Sequence, residues 1–177
     1  MAEVGVTKQV LAYAIKDLMG RQSLSKITVG DICQACGMNR KSFYYHFQDK
    51  YDLVAWIFHG ELAQEAEGAA TLQDMMLALC RTMEKNLPFY RSALKDRGQN
   101  SLQEYIAEAL RPVIEAELKP HLTGVPHGTF LPGLYVDTCC AWLVRWVQDG
   151  CRIPAEDFVK LLQDAALTAG KLAASTK

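Results

Sequence analysis

Basic and aromatic side chains crowd one short stretch of the chain, residues 40 to 50. Arg40 and Lys41 open it, and Tyr44 and Tyr45 follow. Guanidinium and ammonium groups donate to guanine acceptors and to phosphates, and hydroxyl and imidazole groups also hold phosphates. A plain solvated surface would leave the two adjacent tyrosines and the histidine after them unexplained. The residue types therefore predict a nucleic-acid contact.

The pattern around this stretch predicts two short helices joined by a tight turn, within residues 28 to 47. Thr28 is a typical N-cap, with Asp31 as an approximate capping-box partner. Gly37 suits the left-handed conformation that ends a helix. Asn39 then caps the next helix, Arg40 to Phe47. Two such helices form a helix-turn-helix, whose second helix enters the major groove of DNA.

The predicted second helix divides into an inner and an outer face. Phe43 and Phe47, four residues apart, share one face and are expected to pack inward. The first turn of a recognition helix reaches deepest, which favours base contacts there. Residues further along, and those near helix N-termini, are placed for phosphates. The candidate DNA-binding residues are Thr28, Asn39, Arg40, Lys41, Ser42, Tyr44, Tyr45, His46 and Lys50.

Apolar residues recur at steps of three and four along most of the chain, which predicts an all-α fold of about nine helices. The first is expected at about 7 to 21 behind an N-cap at Thr7, and a linking helix begins after Asp49. The later helices are expected at about 72 to 86, 88 to 96, 101 to 119, 131 to 150 and 154 to 173. Residues 1 to 64 would form a DNA-binding domain, a three-helix bundle with its linking helix, and residues 65 to 177 a helical effector-binding and dimerisation domain.

The charge of the chain is unevenly distributed. The total is −1, but residues 1 to 50 hold seven Lys or Arg and four acidic residues, a net +3. A basic head on an acidic body suits a protein that presents one end to DNA. Neither a signal peptide nor a membrane span is predicted, so we expect a cytoplasmic protein with reduced cysteines and no membrane partner.

The segment 28 to 56 resembles the DNA-binding domain of the TetR family of regulators; it reads TVGDICQACGMNRKSFYYHFQDKYDLVAW. The family pattern has a Thr-capped helix, a glycine turn, an aromatic-Tyr-x-x-Phe run, then Lys, two residues and Leu. The matching residues here are Phe43, Tyr44, Phe47, Lys50 and Leu53. The resemblance implies that residues 40 to 42 approach bases while Thr28, Tyr44, Tyr45, His46 and Lys50 hold the DNA backbone.

The second half of the chain resembles a narrower group. Residues 86 to 106, NLPFYRSALKDRGQNSLQEYI, and residues 142 to 154 are similar to a TetR subgroup that includes regulators of dihydroxyacetone kinase operons. The resemblance implies a homodimer on a palindromic double-stranded operator, with a possible small-molecule effector between the body helices. Candidate pocket residues are Met75, Leu79, Phe89, Tyr90, Tyr105, Tyr135 and Trp142. Candidate dimer-interface residues are Leu143, Val147, Phe158, Leu162, Ala165 and Ala169.

Other functions have weaker support in the sequence. Its four histidines are scattered, and Cys33 and Cys36 stand where the family has small apolar residues, so neither a metal nor a cofactor nor catalytic residues are predicted. The adjacent pair Cys139 and Cys140 leaves a thiol-based redox sensor as one alternative. A second alternative is an adaptor that acts through protein contacts. The basic residues Arg40, Lys41 and Lys50 favour DNA over that alternative.

Overall fold

The computed structural model describes residues 2 to 96, 101 to 124 and 127 to 174, and its regular structure over these residues is entirely helical. Short 3₁₀ turns lie at Leu24–Lys26, Lys119–His121 and Gly128–Phe130. The predicted all-α class is confirmed. The nine α-helices of the described residues are α1 Ala2–Met19, α2 Val29–Ala35, α3 Arg40–His46, α4 Lys50–Glu65, α5 Leu72–Lys85, α6 Leu87–Ala93, α7 Leu102–Leu118, α8 Leu131–Gln148 and α9 Ala155–Ala174.

The first three helices form the predicted bundle. α1 packs against α2, and α2 against α3. Leu11 and Ile15 of α1 meet Ile32 of α2 and Phe43 of α3 in a core from which all four side chains are excluded from solvent. Burial of side chains of this size contributes about 1.5–3 kcal/mol each, which fixes the angles between such short helices.

The start of α1 differs from the prediction. Thr7 was expected to cap a helix beginning there, but α1 begins at Ala2 and Thr7 lies inside it. An N-cap needs an extended backbone. Residues 2 to 6 contain no proline, and Gly5 alone costs about 1 kcal/mol in a helix, too little to stop it.

Helix α4 joins the bundle to the body of the molecule. It packs against α1 on one side and against α5 and α7 on the other. Leu53, Ile57 and Phe58 are buried in a core that runs on into the body. α4 therefore contacts both the three-helix bundle and the body of the molecule.

The body is built on α5 and on the pair α7 and α8, the most extensively packed of the described helices. α6 ends at Ala93, earlier than the predicted 96, and Pro154 precedes α9 instead of lying in its first turn. The turn between α8 and α9 uses left-handed backbone at Gly150 (φ +89°) and Cys151 (φ +50°). The prolines and glycines between residues 120 and 128 predict a loop, and Pro126 in that stretch lies outside the described residues.

Apolar residues on two faces of α8 predict that this helix is buried on both sides, and this is wrong for the protomer. Val136, Leu143 and Val147 are fully buried. The other apolar face is open: Leu134 is 61% and Trp142 48% exposed.

Within the described residues, no helix is both long and apolar enough to cross a bilayer.

Candidate nucleic-acid interface

The predicted capping box at the start of α2 is present. Thr28 Oγ1 accepts from the Asp31 amide at 3.2 Å, and the Asp31 carboxylate accepts from the Thr28 amide at 2.8 Å and its hydroxyl at 2.7 Å. The hydrogen bonds from the Thr28 side chain and then its backbone lower the pKa of Asp31. Thr28 remains exposed, so α2 begins with a fixed, outward-facing N-terminus.

The turn into α3 follows the predicted chemistry. Gly37 has a left-handed backbone, φ +66°, and the Met38 amide donates to the Cys33 carbonyl at 2.9 Å. Asn39 Oδ1 then accepts from the Ser42 amide at 2.8 Å, which caps α3. An N-cap of this kind contributes about 1 kcal/mol. The structure thus gives Asn39 a positioning role.

Two phenylalanines anchor α3 from below. Phe43 is 0% and Phe47 3% exposed, with ring centroids 5.9 Å apart. Phe47 also meets Trp56 of α4 edge-on, with centroids 5.9 Å apart. The angle of α3 is therefore set by packing against α1, α2 and α4.

The opposite face of α3 is open to solvent. Arg40 and Lys41 are exposed, and Tyr44 and Tyr45 are 58% and 79% exposed. Ser42 and His46 are half-buried beside them. The structure thus brings six of the nine candidate DNA-binding residues together on one helix of seven residues.

Lys50 lies elsewhere than on this face. Its Nζ atom donates to the carbonyls of Leu24 at 2.7 Å, Ile27 at 2.9 Å and Ser25 at 3.3 Å. An ammonium has three donors, and all three are used within the chain. Lys50 therefore ties α4 to the turn that precedes α2, and we leave it out of the proposed DNA contacts.

Lys8 is a cation near α3 that the sequence pattern does not indicate. Its Nζ lies 5.2 Å from the Phe47 ring centroid and 5.7 Å from the Trp56 ring centroid. Cations over aromatic rings at this distance are attracted by the ring quadrupole. No local sequence signal could have found the contact, because Lys8 lies 39 residues before Phe47 in the chain.

Polar contacts connect α4 to the body. The Glu61 carboxylate accepts from both the Lys16 ammonium of α1 and the Tyr90 hydroxyl of α6. Burial, followed by the hydrogen bond to Glu61, raises the pKa of Tyr90. Near the other end of α4, the Tyr51 hydroxyl donates to Asp96 at 3.1 Å. A movement of α6 would therefore change the contacts of α4, the helix that supports α3.

The seven candidate pocket residues do not surround one cavity. Leu79, Phe89 and Tyr90 belong to the packed core. Tyr135 lines a cavity of about 670 Å³ between α5, α7, α8 and α9, and Trp142 lines a groove of about 440 Å³ between α8 and α9. Met75 and Tyr105 line neither of these two spaces. Large apolar residues in a core and in a pocket have the same sequence pattern, so periodicity cannot separate them.

The six candidate interface residues also divide. Leu143 and Val147 are fully buried, and Phe158 stacks on Trp146 inside the protomer with centroids 4.9 Å apart. These three side chains lie in the interior of the protomer and are not placed to contact a second copy. Leu162 and Ala165 line the groove between α8 and α9. The side chain of Ala169 lies outside the described residues.

Four of the six cysteines have surroundings that disfavour the reactive thiolate. Burial raises the pKa of Cys139 and of Cys140 to about 11 each, so both are thiols at neutral pH. The thiolate is the reactive form. Cys33 and Cys80 are buried as well, and desolvation raises the pKa of each. This chemistry disfavours a thiol-based sensor.

Comparison with family profiles gives two matches that lie side by side on the chain. Residues 11 to 57 match the family described as bacterial regulatory proteins, tetR family. Residues 70 to 167 match a transcriptional regulator C-terminal region of the same group. The second match alone covers more than half of the chain.

Two curated relatives are transcription regulators. DhaS of Lactococcus lactis subsp. lactis (strain IL1403), the HTH-type dhaKLM operon transcriptional activator, is 33% identical over 89 residues, 49% of this chain and 48% of the relative. AcrR of Shigella flexneri, an HTH-type transcriptional regulator, is 32% identical over 71 residues, 40% of this chain and 32% of the relative. The aligned regions thus span about half and a third of these relatives.

Solved structures share the fold over nearly the whole chain. A dihydroxyacetone kinase operon activator DhaS superposes with a TM-score of 0.65 at 20% identity, covering 94% of this chain and 97% of that one. NalD of Pseudomonas aeruginosa, the secondary repressor of the MexAB-OprM multidrug efflux pump, also gives 0.65, at 14% identity, covering 95% and 97%. At these identities the likeness concerns the fold.

Proposed function

The chain belongs to the TetR family of bacterial regulatory proteins, and from this premise we propose that it is a homodimer that binds a palindromic DNA operator and changes its binding in response to a signal. Residues 1 to 64 would form the DNA-binding part, and residues 65 to 177 the part that dimerises and receives the signal. The matched families and relatives are transcription regulators, not enzymes.

The observation that carries the DNA-binding proposal is the open face of α3. Arg40 and Lys41 lie in its first turn, on a helix capped by Asn39 and anchored by Phe43 and Phe47. We assign base contacts to Arg40, Lys41 and Ser42. Backbone phosphates are assigned to the tyrosines and histidine further along α3 and to the exposed N-terminus of α2.

A second copy of the chain is the proposed occupant of the open side of α8 and α9. Leu134 and Trp142 of α8 and Leu161 of α9 are between 48% and 61% exposed, and Trp142 and Leu161 line the same groove. Large exposed apolar side chains on neighbouring helices indicate an interaction surface. Pairing it with its own copy would present two α3 helices with the two-fold symmetry that a palindromic operator requires.

The cavity beside Tyr135 is the proposed place of signal reception. Apolar residues such as Leu72 and Met76 line it together with the charged Glu117 and Lys160. Mostly apolar walls with a few polar groups are typical of small-molecule sites. Because a relative is named as a dhaKLM operon activator, we place this chain in the subgroup of dihydroxyacetone kinase operon regulators, with a small molecule or a partner protein as its signal.

Selection from a randomised pool of DNA duplexes by the full-length protein tests the proposal. We expect a palindromic sequence to be enriched, and Arg40→Ala and Lys41→Ala each to weaken binding to it by about 1–3 kcal/mol in fluorescence anisotropy. Lys95→Ala, which alters an exposed lysine two residues after the end of α6, is the matched control. Failure to enrich any sequence, or wild-type binding by both α3 variants, would contradict the proposal.

A further inference from the structure

Helix α2 carries a glycine that its backbone does not require. Gly30 is the second residue of α2, and its φ is not in the left-handed region that glycine alone adopts easily. Glycine inside a helix costs about 1 kcal/mol relative to alanine. The reason for a glycine at this position must therefore lie in what approaches it.

The group that approaches Gly30 is the guanidinium of Arg40. A Cβ atom added to Gly30 would lie 2.6 Å from Arg40 Nη2 and 3.4 Å from both Cζ and Nε. A Cβ atom essentially never lies within 3.0 Å of another heavy atom in this way, so a side chain at position 30 would displace the flexible end of Arg40. Arg40 belongs to α3 and reaches back across the turn to the surface of α2.

The neighbouring charge favours this arrangement. Asp31 follows Gly30 directly. Hydrogen bonds from the Thr28 side chain and backbone lower the pKa of Asp31, and the nearby Arg40 charge lowers it further. Arg40 itself stays exposed. Its guanidinium thus lies against the surface of α2 while remaining accessible to DNA.

We propose that Gly30 is a specificity-determining residue that acts by positioning Arg40. Because glycine has no side chain, it leaves room for the guanidinium in the orientation that reads one base pair of the operator. The inference rests on the proposed function, because it takes Arg40 as a base contact. A methyl group at position 30 would push the guanidinium out by at least about 0.8 Å to reach ordinary contact, beyond the narrow distance range of a hydrogen bond.

The test compares Gly30→Ala, Arg40→Ala and the double variant on the duplex that wild type selects from a randomised pool, and on every single-base-pair change of that duplex. The matched control is Gly60→Ala, the same substitution in α4, where an added Cβ meets nothing within 4 Å. Melting temperature is measured for each protein. Gly30→Ala and Gly60→Ala should both melt at or above the wild-type temperature, because alanine favours the helix more than glycine does.

We expect Gly30→Ala to lose about tenfold in affinity for the selected duplex. It should lose discrimination only at the base pair that Arg40→Ala no longer discriminates. The double variant should equal Arg40→Ala, and Gly60→Ala should equal wild type. If Arg40→Ala loses discrimination at one position while Gly30→Ala keeps it, this inference fails and the proposed function stands. If wild type selects no sequence, the proposed function fails, and this inference fails with it.

Discussion

The two ends of the molecule present their surfaces in opposite ways. At the α3 end, buried rings, two side-chain caps and the Lys50 contacts hold a polar face in place, so the chain alone completes the surface. At the α8 and α9 end, Trp142 and Leu161 are 48% and 52% exposed, and the protomer leaves an apolar surface uncovered. The proposed DNA-contacting surface is complete within one chain, whereas the proposed dimer surface would be covered only by a second copy.

The largest expected effect comes from the buried anchor of the first surface. Phe43→Ala removes a fully buried ring and should lower the free energy of unfolding by about 3–5 kcal/mol, measured by urea denaturation. Tyr45→Ala, on the same helix but 79% exposed, is the control and should unfold like wild type while binding DNA more weakly. Equal stability losses in the two variants would show that α3 is not anchored from one face.

The next largest effect is expected at the exposed apolar surface of α8 and α9. Trp142→Glu should raise the dimer dissociation constant at least about 30-fold, since burying an unpaired carboxylate at an aromatic anchor costs about 2 kcal/mol or more. Sedimentation equilibrium measures the change. Tyr13→Glu, which alters a 72% exposed aromatic residue of α1, should leave the dimer intact. A Trp142→Glu protein that dimerises like wild type would move the interface away from α8.

A matched pair of caps sharpens the comparison further. Thr28 and Thr71 form the same capping box, at the starts of α2 and α5 respectively. Thr28→Ala and Thr71→Ala should each cost about 1 kcal/mol of unfolding free energy. Only Thr28→Ala should also weaken DNA binding, because α2, unlike α5, lies beside α3. Equal DNA affinities for the two variants would contradict the role given to the α2 N-terminus.

The smallest effect concerns pH. Hydrogen bonds from the Thr71 side chain and from the backbone amides of Ala70 and Thr71 lower the pKa of Asp74. A carboxylate with a lowered folded-state pKa stabilises the protein above its ordinary pKa of about 4, and this stabilisation disappears as pH falls through the folded-state value. Wild type should therefore be more stable than Asp74→Asn at pH 7. The difference should shrink below about pH 4 in urea denaturation; a difference that stays constant with pH would contradict this account.

Local signals made the α3 end predictable. Thr28, Gly37 and Asn39 act within three or four residues of themselves, and the spacing of Phe43 and Phe47 sets the buried face. The role of Lys50 could not be predicted, because its carbonyl partners lie 23 to 26 residues away. Periodicity also fails on α8. Leu143 and Trp142 are adjacent and both apolar, and only packing against α7 decides which of the two is buried.

Glu61 has a consequence for how the protein can be divided. Its carboxylate binds Lys16 from the DNA-binding side and the buried Tyr90 hydroxyl from the body, while the neighbouring Phe58 ring packs against Tyr90 with centroids 6.5 Å apart. A fragment ending at residue 64 would expose Phe58 and leave Glu61 without its body-side partner. The chain should therefore melt in a single calorimetric transition, and its DNA-binding end should not be transferable as an independent module.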